Sequence, residues 1–287
     1  VAARRSVVVT GASTGIGHAC VKALIAGDCH VFGSVRKQVD AEKLSKEFGN
    51  SFTPLIFDVT DEAAVAAGAK QVEAALAGGT LFGLVNNAGI AVPGPLLYLK
   101  VDDFRRQLEV NLIAQLTVTQ AFAPLLGAHR ARQGAPGRIV MISSVGGKNA
   151  LPLSGPYAAS KFGLEGFSES LRRELMVFGI DVIVVAPGAV ATPIWDKAEE
   201  FDVTPFASTP YAEAIKVMRS FMISLGRKGL PPERIGETVK TALTIANPKV
   251  RYTVAPNPMQ QLMSAVLPKR TMDRLMARRL GLMPPPR

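Results

Sequence analysis

Cysteine is nearly absent from the chain: Cys20 and Cys29 are the only two, and no C-x-x-C pair occurs. That excludes a disulfide-stapled scaffold and a thiolate zinc site; both residues read as small buried thiols in a reducing compartment. Histidine is scarce too. His18, His30 and His129 are scattered, so no imidazole cluster supports metal chemistry, and each reads as a structural or surface residue. Aromatic residues make up 6% of the chain, with one tryptophan. No run of about 18 apolar residues is present, which excludes a transmembrane helix by composition. Internal repeats and low-complexity tracts are missing as well, so repeat architectures are excluded.

Acidic residues are in deficit: 23 stand against 33 basic ones, a net charge of +10. Such a balance raises nucleic acid and anionic membrane as partners. The excess is concentrated at the end, where residues 269–287 hold six basic residues and one acid. No aromatic residues are interleaved with them, as a single-strand binder requires. Nucleic acid is therefore not expected; a solvated basic tail, or a tail in peripheral contact with acidic lipid, fits the pattern. The chain begins at Val1 without an initiator methionine, which leaves room for a leader or anchor upstream; the expected location is cytoplasmic or peripheral to a membrane.

What the chain does have is a 48% hydrophobic composition over 287 residues, ample for a large core. Short β-branched runs alternate with helical stretches. Strands are predicted at 6–10, 30–35, 51–57, 81–85, 138–143, 181–186 and 250–255, and helices up to about residue 26 and at 61–76, 102–126 and 157–178. Strands separated by helical crossovers imply a parallel sheet covered on both faces, a Rossmann-type doubly wound α/β fold. We assign 1–256 to a single domain that includes a helical substrate loop at 193–230, and 257–287 to a basic Met- and Arg-rich extension. Helical spacing over 259–282 fits an amphipathic lid, an interface helix, a membrane-surface helix or a helix packed on the domain's own surface.

The first strand leads into Thr10-Gly11-Ala12-Ser13-Thr14-Gly15-Ile16-Gly17. A glycine-rich turn between a strand and a helix lets the backbone approach a pyrophosphate, and the helix behind it offers free N–H groups and a positive dipole end. The spacing is G-x-x-x-G-x-G, and strand and helix supply the context that a glycine motif needs. Further along, Tyr157 and Lys161 lie four apart on a predicted helix and so share one face; Ser144 precedes them.

The set resembles the short-chain dehydrogenase/reductase family. The turn matches its T-G-x-x-x-G-x-G, Asn86-Asn87-Ala88-Gly89 its N-N-A-G, Asn111 its helix asparagine, Ser144 with Tyr157-x-x-x-Lys161 its active-site set, and Pro187-Gly188 with Thr192 its P-G-x-x-x-T. Five motifs in order over about 190 residues carry the likeness. It implies that Gly11, Ser13, Thr14, Gly15, Ile16 and Gly17 line the pyrophosphate and ribose of a nicotinamide dinucleotide, that Asp58 and Val59 flank the adenine, that Asn87, Ala88 and Gly89 line the ribose side of the cleft, and that Pro187, Gly188, Val190 and Thr192 hold the carboxamide. Tyr157 would be the proton donor, with Lys161 lowering its pKa and bonding the ribose, Ser144 aligning the substrate oxygen and Asn111 fixing a water linked to Lys161. Asn86 fits a structural role, tying neighbouring loops together. Ser143 competes with Ser144, but the family's spacing to tyrosine favours Ser144.

Cofactor choice turns on the end of strand two, Val35-Arg36-Lys37. The position at which the family's NAD users carry aspartate is Val35, and Arg36 suits a 2′-phosphate, so NADP(H) is expected. The segment after Thr192 carries Trp195, Phe201, Phe206, Tyr211, Phe221 and several methionines, which points to a bulky apolar ketone, aldehyde or alcohol. Phrases such as Ser144-Val145-Gly146-Gly147 resemble the retinol and 17β-hydroxysteroid dehydrogenase branch, so the substrate class is steroid, retinoid or lipid-like. The resemblance also implies a homodimer or homotetramer built on the helices over 102–126 and 157–178. The alternative is a non-catalytic NADP-binding sensor or scaffold.

Overall fold

The computed structural model describes residues 4–129, 131–195, 200–256 and 267–284. Seven parallel strands form one sheet: β1 (Arg5–Val9), β2 (Cys29–Val35), β3 (Phe52–Ile56), β4 (Gly83–Asn86), β5 (Arg138–Ile142), β6 (Asp181–Pro187) and β7 (Arg251–Val254). Their spatial order is β3-β2-β1-β4-β5-β6-β7. All seven predicted strands form, with ends shifted by a residue or two.

The central strands are apolar on both faces because both faces are covered. Val7 and Val9 point to one side and Val8 to the other, as the two-residue period requires, and all three are fully buried. The Val7 side packs with Val31, Val85, Val140 and Ile183 into one core. The Val8 side packs with Phe32, Leu84, Ile139 and Met141 into a second. The strand order reverses between β1 and β4, so a crevice opens there beyond the carboxyl ends of the strands, where sheets of this class hold ligands.

The helices are α1 (Gly15–Ala26), α2 (Gln38–Phe48), α3 (Glu62–Leu76), α4 (Val101–Leu108), α5 (Ala114–Phe122), α6 (Gly155–Glu174), α7 (Ala212–Arg227), α8 (Pro232–Thr244) and α9 (Lys269–Leu280). Asp61 caps α3 by accepting from the Ala64 N–H at 3.0 Å, the usual role of aspartate at that position. The predicted helix over 102–126 forms as one helical run but is not uniformly α: α4 and α5 are joined by a π-helical turn, Glu109–Ile113, and a second π turn, Pro124–Ala128, follows α5. Three buried amides explain the first. Gln107, Asn111 and Gln115 are all buried, at spacings of four. In a regular α-helix each such step drifts by about 40°, and the wider π turn takes up part of that drift, which keeps all three side chains on one line.

Sequence periodicity misses α2, whose buried stripe is only Ala41 and Leu44. A third apolar cluster joins Leu153, Phe206, Ile215 and Met218 to Leu280, with Tyr211 and Phe221 packed against them. The aromatic and Met residues after Thr192 thus build α7 and its surroundings, and α9 packs against α7, with the Arg279 guanidinium 4.4 Å from the Phe221 ring centroid. Residues 257–266, at the head of the predicted helical tail, lie outside the described residues.

Candidate active site

The turn between β1 and α1 is held open by polar residues at strand ends. Ser34 of β2 accepts from the Gly11 N–H at 3.0 Å. The Thr10 hydroxyl accepts from the N–H groups of Asn87 and Ala88 at 2.9 and 3.0 Å. The Asn87 amide donates to the carbonyls of Thr10 and Gly11 at 2.9 and 3.2 Å. Strand ends β1 and β4 are thereby locked together at the switch point. Asn86 ties different parts: its amide donates to Thr119 of α5 at 3.0 Å and lies 3.3 Å from the Met141 sulfur of β5, so it joins a strand to a helix rather than two loops.

Gly17 is required by close approach. A Cβ there would sit 2.0 Å from the Gly11 carbonyl oxygen and 2.7 Å from the Asn87 amide nitrogen. Thr14, the N-cap residue of α1, makes no side-chain cap, and the first turn has no acidic residue. The opening N–H groups and dipole of α1 are therefore uncompensated by side chains, which suits a phosphate. Thr192 closes the same space from the far side; a Cβ on Gly15 would lie 3.2 Å from the Thr192 side chain. Ser13 and Ile16 sit within this turn, half-buried. The cradle fits a dinucleotide pyrophosphate.

Arg36 and Asp58 face one another beside the turn, at 3.8 Å. Asp58 also accepts from the Thr60 N–H and hydroxyl at 3.0 and 2.8 Å. Val35, the last residue of β2, is buried and apolar, so the carboxylate nearest that strand end is the one Arg36 faces, Asp58. Val59 sends its side chain into the core. Beyond β6, Gly188 donates to the Val254 carbonyl at 2.8 Å. Val190 is buried, and its carbonyl accepts from the Trp195 indole at 2.6 Å. Pro187 ends β6 and its carbonyl lies 3.5 Å from the Ser144 hydroxyl.

Ser144 and Tyr157 flank a loop that leaves β5 and returns into α6. The Ser144 hydroxyl accepts from the Gly146 N–H at 3.0 Å and lies near enough to the Tyr157 phenol to favour its ionised form. Ser143 turns the other way; its hydroxyl is buried without a partner among the described residues. Within the loop Leu153 adopts a left-handed backbone, φ 62, a conformation that costs a branched residue about 1–3 kcal/mol. The cost is met by anchoring at both ends: its side chain sits in the third cluster and its carbonyl accepts from the Gly94 N–H at 2.8 Å.

Lys161 is buried and its ammonium donates to the Ile142 carbonyl at 2.8 Å, 5.8 Å from the Tyr157 ring centroid. Burial pulls the ammonium down to about 8, with the Glu165 carboxylate acting against that fall. Burial pushes the Tyr157 phenol above its ordinary value, and the nearby Ser144 hydroxyl recovers only part of the rise. The expected depression of this phenol by Lys161 does not appear: desolvation dominates, and Ser144 is the group that acts against it. Tyr157 is held as a neutral acid.

Asn111 does not touch Lys161. Its amide donates to the Ile90 carbonyl at 3.0 Å and to the Ser160 hydroxyl at 3.1 Å, and its oxygen accepts from the Ile90 N–H at 2.8 Å. Ser160 in turn donates to the Tyr157 carbonyl at 2.7 Å. Both amide N–H groups are therefore spent on positioning the loop after β4 and the first turn of α6, and a water held by the side chain is left only its oxygen. Sequence reading missed the flanking amides. Gln107 grips Val92 N–H at 2.7 Å and the Ile90 carbonyl at 2.9 Å; Gln115 donates to the Ala88 carbonyl at 3.1 Å. The signal was available as Gln and Asn at four-residue spacing.

The model of the short chain dehydrogenase family matches residues 5–202. The chain belongs to the short-chain dehydrogenase/reductase family. It is 36% identical over 272 residues to the NADPH-dependent 3-dehydrocapnine reductase of Ornithobacterium rhinotracheale, covering 94% of this chain and 95% of that protein. It is 33% identical over 261 residues to human retinol dehydrogenase 5, covering 86% and 79%. A solved short-chain dehydrogenase from Streptomyces avermitilis superposes with a TM-score of 0.76 at 25% identity, covering 97% and 95%. This short-chain dehydrogenase/reductase is an oxidoreductase of small molecules whose fold binds nicotinamide cofactors. Among the described residues, no helix is long and apolar enough to cross a membrane and no cluster of metal-ligating residues occurs.

Proposed function

We propose that the protein is an NADP(H)-dependent oxidoreductase that interconverts a ketone or aldehyde and an alcohol on a bulky apolar substrate. The observation that carries the reading is the convergence of three groups: the Lys161 ammonium lies 5.8 Å from the Tyr157 ring centroid, and Ser144 acts on the Tyr157 phenol. When bound, the nicotinamide supplies or accepts the hydride. In reduction, Ser144 and the neutral Tyr157 phenol hold the substrate oxygen, and Tyr157 delivers the proton that the developing alkoxide needs. Lys161 stabilises the phenolate left behind and bonds the ribose. Asn111 acts through Ser160 on the position of Tyr157.

Gly11, Ser13, Thr14, Gly15, Ile16 and Gly17 would hold the pyrophosphate, Asp58 and Val59 the adenine, Asn87, Ala88 and Gly89 the ribose side, and Pro187, Gly188, Val190 and Thr192 the carboxamide. Arg36 favours NADP because it stands exposed beside that cradle where a 2′-phosphate would lie, and the NADPH dependence named for the bacterial relative agrees. The apolar substrate is supported by a mainly apolar cavity of about 190 Å³ between α7 and α9, lined by Met218, Phe221, Met272, Leu275 and Met276 with Arg279 at one side, and walled by the Leu151–Pro152 stretch of the loop joining Ser144 to Tyr157. Retinol dehydrogenases among the relatives agree in class. Exposed Ile113, Leu116 and Phe162 fit a homodimer or homotetramer through α5 and α6, and the basic tail fits peripheral contact with acidic lipid.

The test is NADPH and NADH oxidation over steroid, retinoid and small aryl ketones. NADPH is expected to be preferred and the bulky ketones turned over faster. A Tyr157→Phe protein should bind NADPH normally and lose about 10³-fold or more in kcat, within the range for a positioned acid. Retained activity in that variant would refute the mechanism.

A further inference from the structure

Lys161 carries its charge in a place where charge is expensive. Its side chain is only 6% exposed, and a buried cation is tolerated when an opposite charge compensates it. The opposite charge stands one turn further along α6. Glu165 is four residues on, on the same helical face, and its side chain is 15% exposed. Arg251 of β7 holds it from outside: Nε donates to the two carboxylate oxygens at 3.0 and 3.3 Å, and Nη2 donates at 3.2 Å. The same guanidinium donates to the Thr253 hydroxyl.

Gly147 brings the active-site loop down onto this turn. A Cβ there would lie 2.9 Å from Glu165 Cγ, 2.9 Å from the Lys161 carbonyl oxygen and 3.0 Å from the Ser143 hydroxyl. Among the described residues no other charged group acts on Lys161; Glu109 of the π turn packed on α6 is exposed. Asn111 and Ser160 are neutral, Asp102 and Asp103 of α4 pair with Arg105 and Arg106 at the surface, and Lys148 of the loop is exposed.

We propose that Glu165, oriented by Arg251, is a positioning residue for the proton chemistry: its carboxylate keeps Lys161 an ammonium at the pH where Tyr157 works. The inference rests on the reading that Lys161 serves Tyr157. Arg251 has two effects. It fixes the carboxylate's direction, and by pairing with it limits the negative potential that would otherwise reach Tyr157 and oppose formation of the phenolate. The last strand of the sheet is thereby connected to the charge state of the active-site lysine.

The experiment compares pH profiles of ketone reduction by wild type, Glu165→Gln, Glu165→Asp and Arg251→Gln, using NADPH and an aryl ketone that wild type reduces. Loss of the carboxylate lets Lys161 shed its proton earlier, so the alkaline limb of Glu165→Gln should move down by on the order of one pH unit. Loss of Arg251 leaves the carboxylate unshared, so that limb should move up. Glu165→Asp should return the limb toward wild type. Far-UV circular dichroism establishes that each variant is folded. Should Arg251→Gln not fold, Glu165→Gln decides alone, because it keeps the side chain's volume and an oxygen for Arg251. A second readout needs no turnover: the Lys161 13Cε resonance, assigned by its loss in Lys161→Met, should titrate at lower pH in Glu165→Gln. Unmoved limbs with a uniformly lower rate, limbs that move in the same direction, or an unchanged Lys161 titration would overturn the proposal. Absence of ketone reduction by wild type would instead refute the proposed function, and the resonance would still judge Glu165.

Discussion

Lys161→Met should make the protein inactive and more stable at the same time. The buried ammonium is pulled from its ordinary 10.5 to about 8, a depression that represents about 3 kcal/mol of folding free energy lost at neutral pH. The sign follows from proton counting. Between about 8 and 10.5 the unfolded chain binds the proton that the folded protein has released, so wild-type stability rises with pH across that window. The penalty is present in full below it and gone above it. Methionine fills the same space without charge. It removes the penalty but also deprives the Ile142 carbonyl of its donor at 2.8 Å, at a cost of about 1–2 kcal/mol. The net gain is about 1–2 kcal/mol at pH 7, or a rise in Tm of about 2–3 °C for a chain of this size. Thermal unfolding of wild type and variant at pH 6.5, 8 and 9.5 is the assay. The variant's advantage should be largest at pH 6.5 and shrink at 9.5. A variant less stable at every pH, or a gap independent of pH, would refute the reasoning that Lys161 is kept charged at the expense of the fold.

Other changes test other parts of the structure. Gly17→Ala would place a methyl 2.0 Å from the Gly11 carbonyl oxygen, so NADPH affinity measured by calorimetry should fall by more than about tenfold, with the turn rather than the sheet disturbed. Arg36→Ala should raise the KM for NADPH by about 10- to 100-fold, the worth of a charge-assisted pair, while leaving that for NADH nearly unchanged; equal effects on both would remove Arg36 from cofactor choice. Arg138→Met should cost about 2–4 kcal/mol in denaturant unfolding. Its guanidinium is mostly buried and donates to the carbonyls of Ala242, Leu243, Ile245 and Ala246 at the end of α8. The kcat of that variant should remain near wild type, because the contact lies at the amino end of β5, away from Ser144 and Tyr157.

The strands were legible because most are short apolar runs bounded by polar or glycine residues, and a parallel sheet buried on both faces needs little else. The Gly11–Gly17 turn and the Ser144, Tyr157 and Lys161 set were legible because their spacings are short and the chemistry restricts the residue types. α2 escaped because two buried residues make too weak a stripe. The π turn at Glu109–Ile113 escaped because it is caused by tertiary contacts: Gln107, Asn111 and Gln115 are drawn to the backbone at Ala88, Ile90 and Val92, and no local propensity records that attraction. Glu165 with Arg251 and Arg138 with α8 escaped for the same reason, since their partners lie 86 and 104 or more residues away.

The division of labour among these residues follows from their distance to the reacting atoms. The groups that touch substrate or cofactor must have particular chemistry, so they appear as motifs. Those that hold them need only a polar atom in the right place, and several sequences supply one. Asn111 illustrates the boundary. Its place in the motif suggests a proton relay, yet both its amide hydrogens go to Ile90 and Ser160, which makes it a strut between the loop after β4 and the start of α6. An Asn111→Asp change would keep the acceptor for the Ile90 N–H but place an oxygen against the Ile90 carbonyl, and the buried charge would be costly as well. The loop after β4 should then separate from α6, and Tyr157, tied through Ser160 at 2.7 Å, should shift with it.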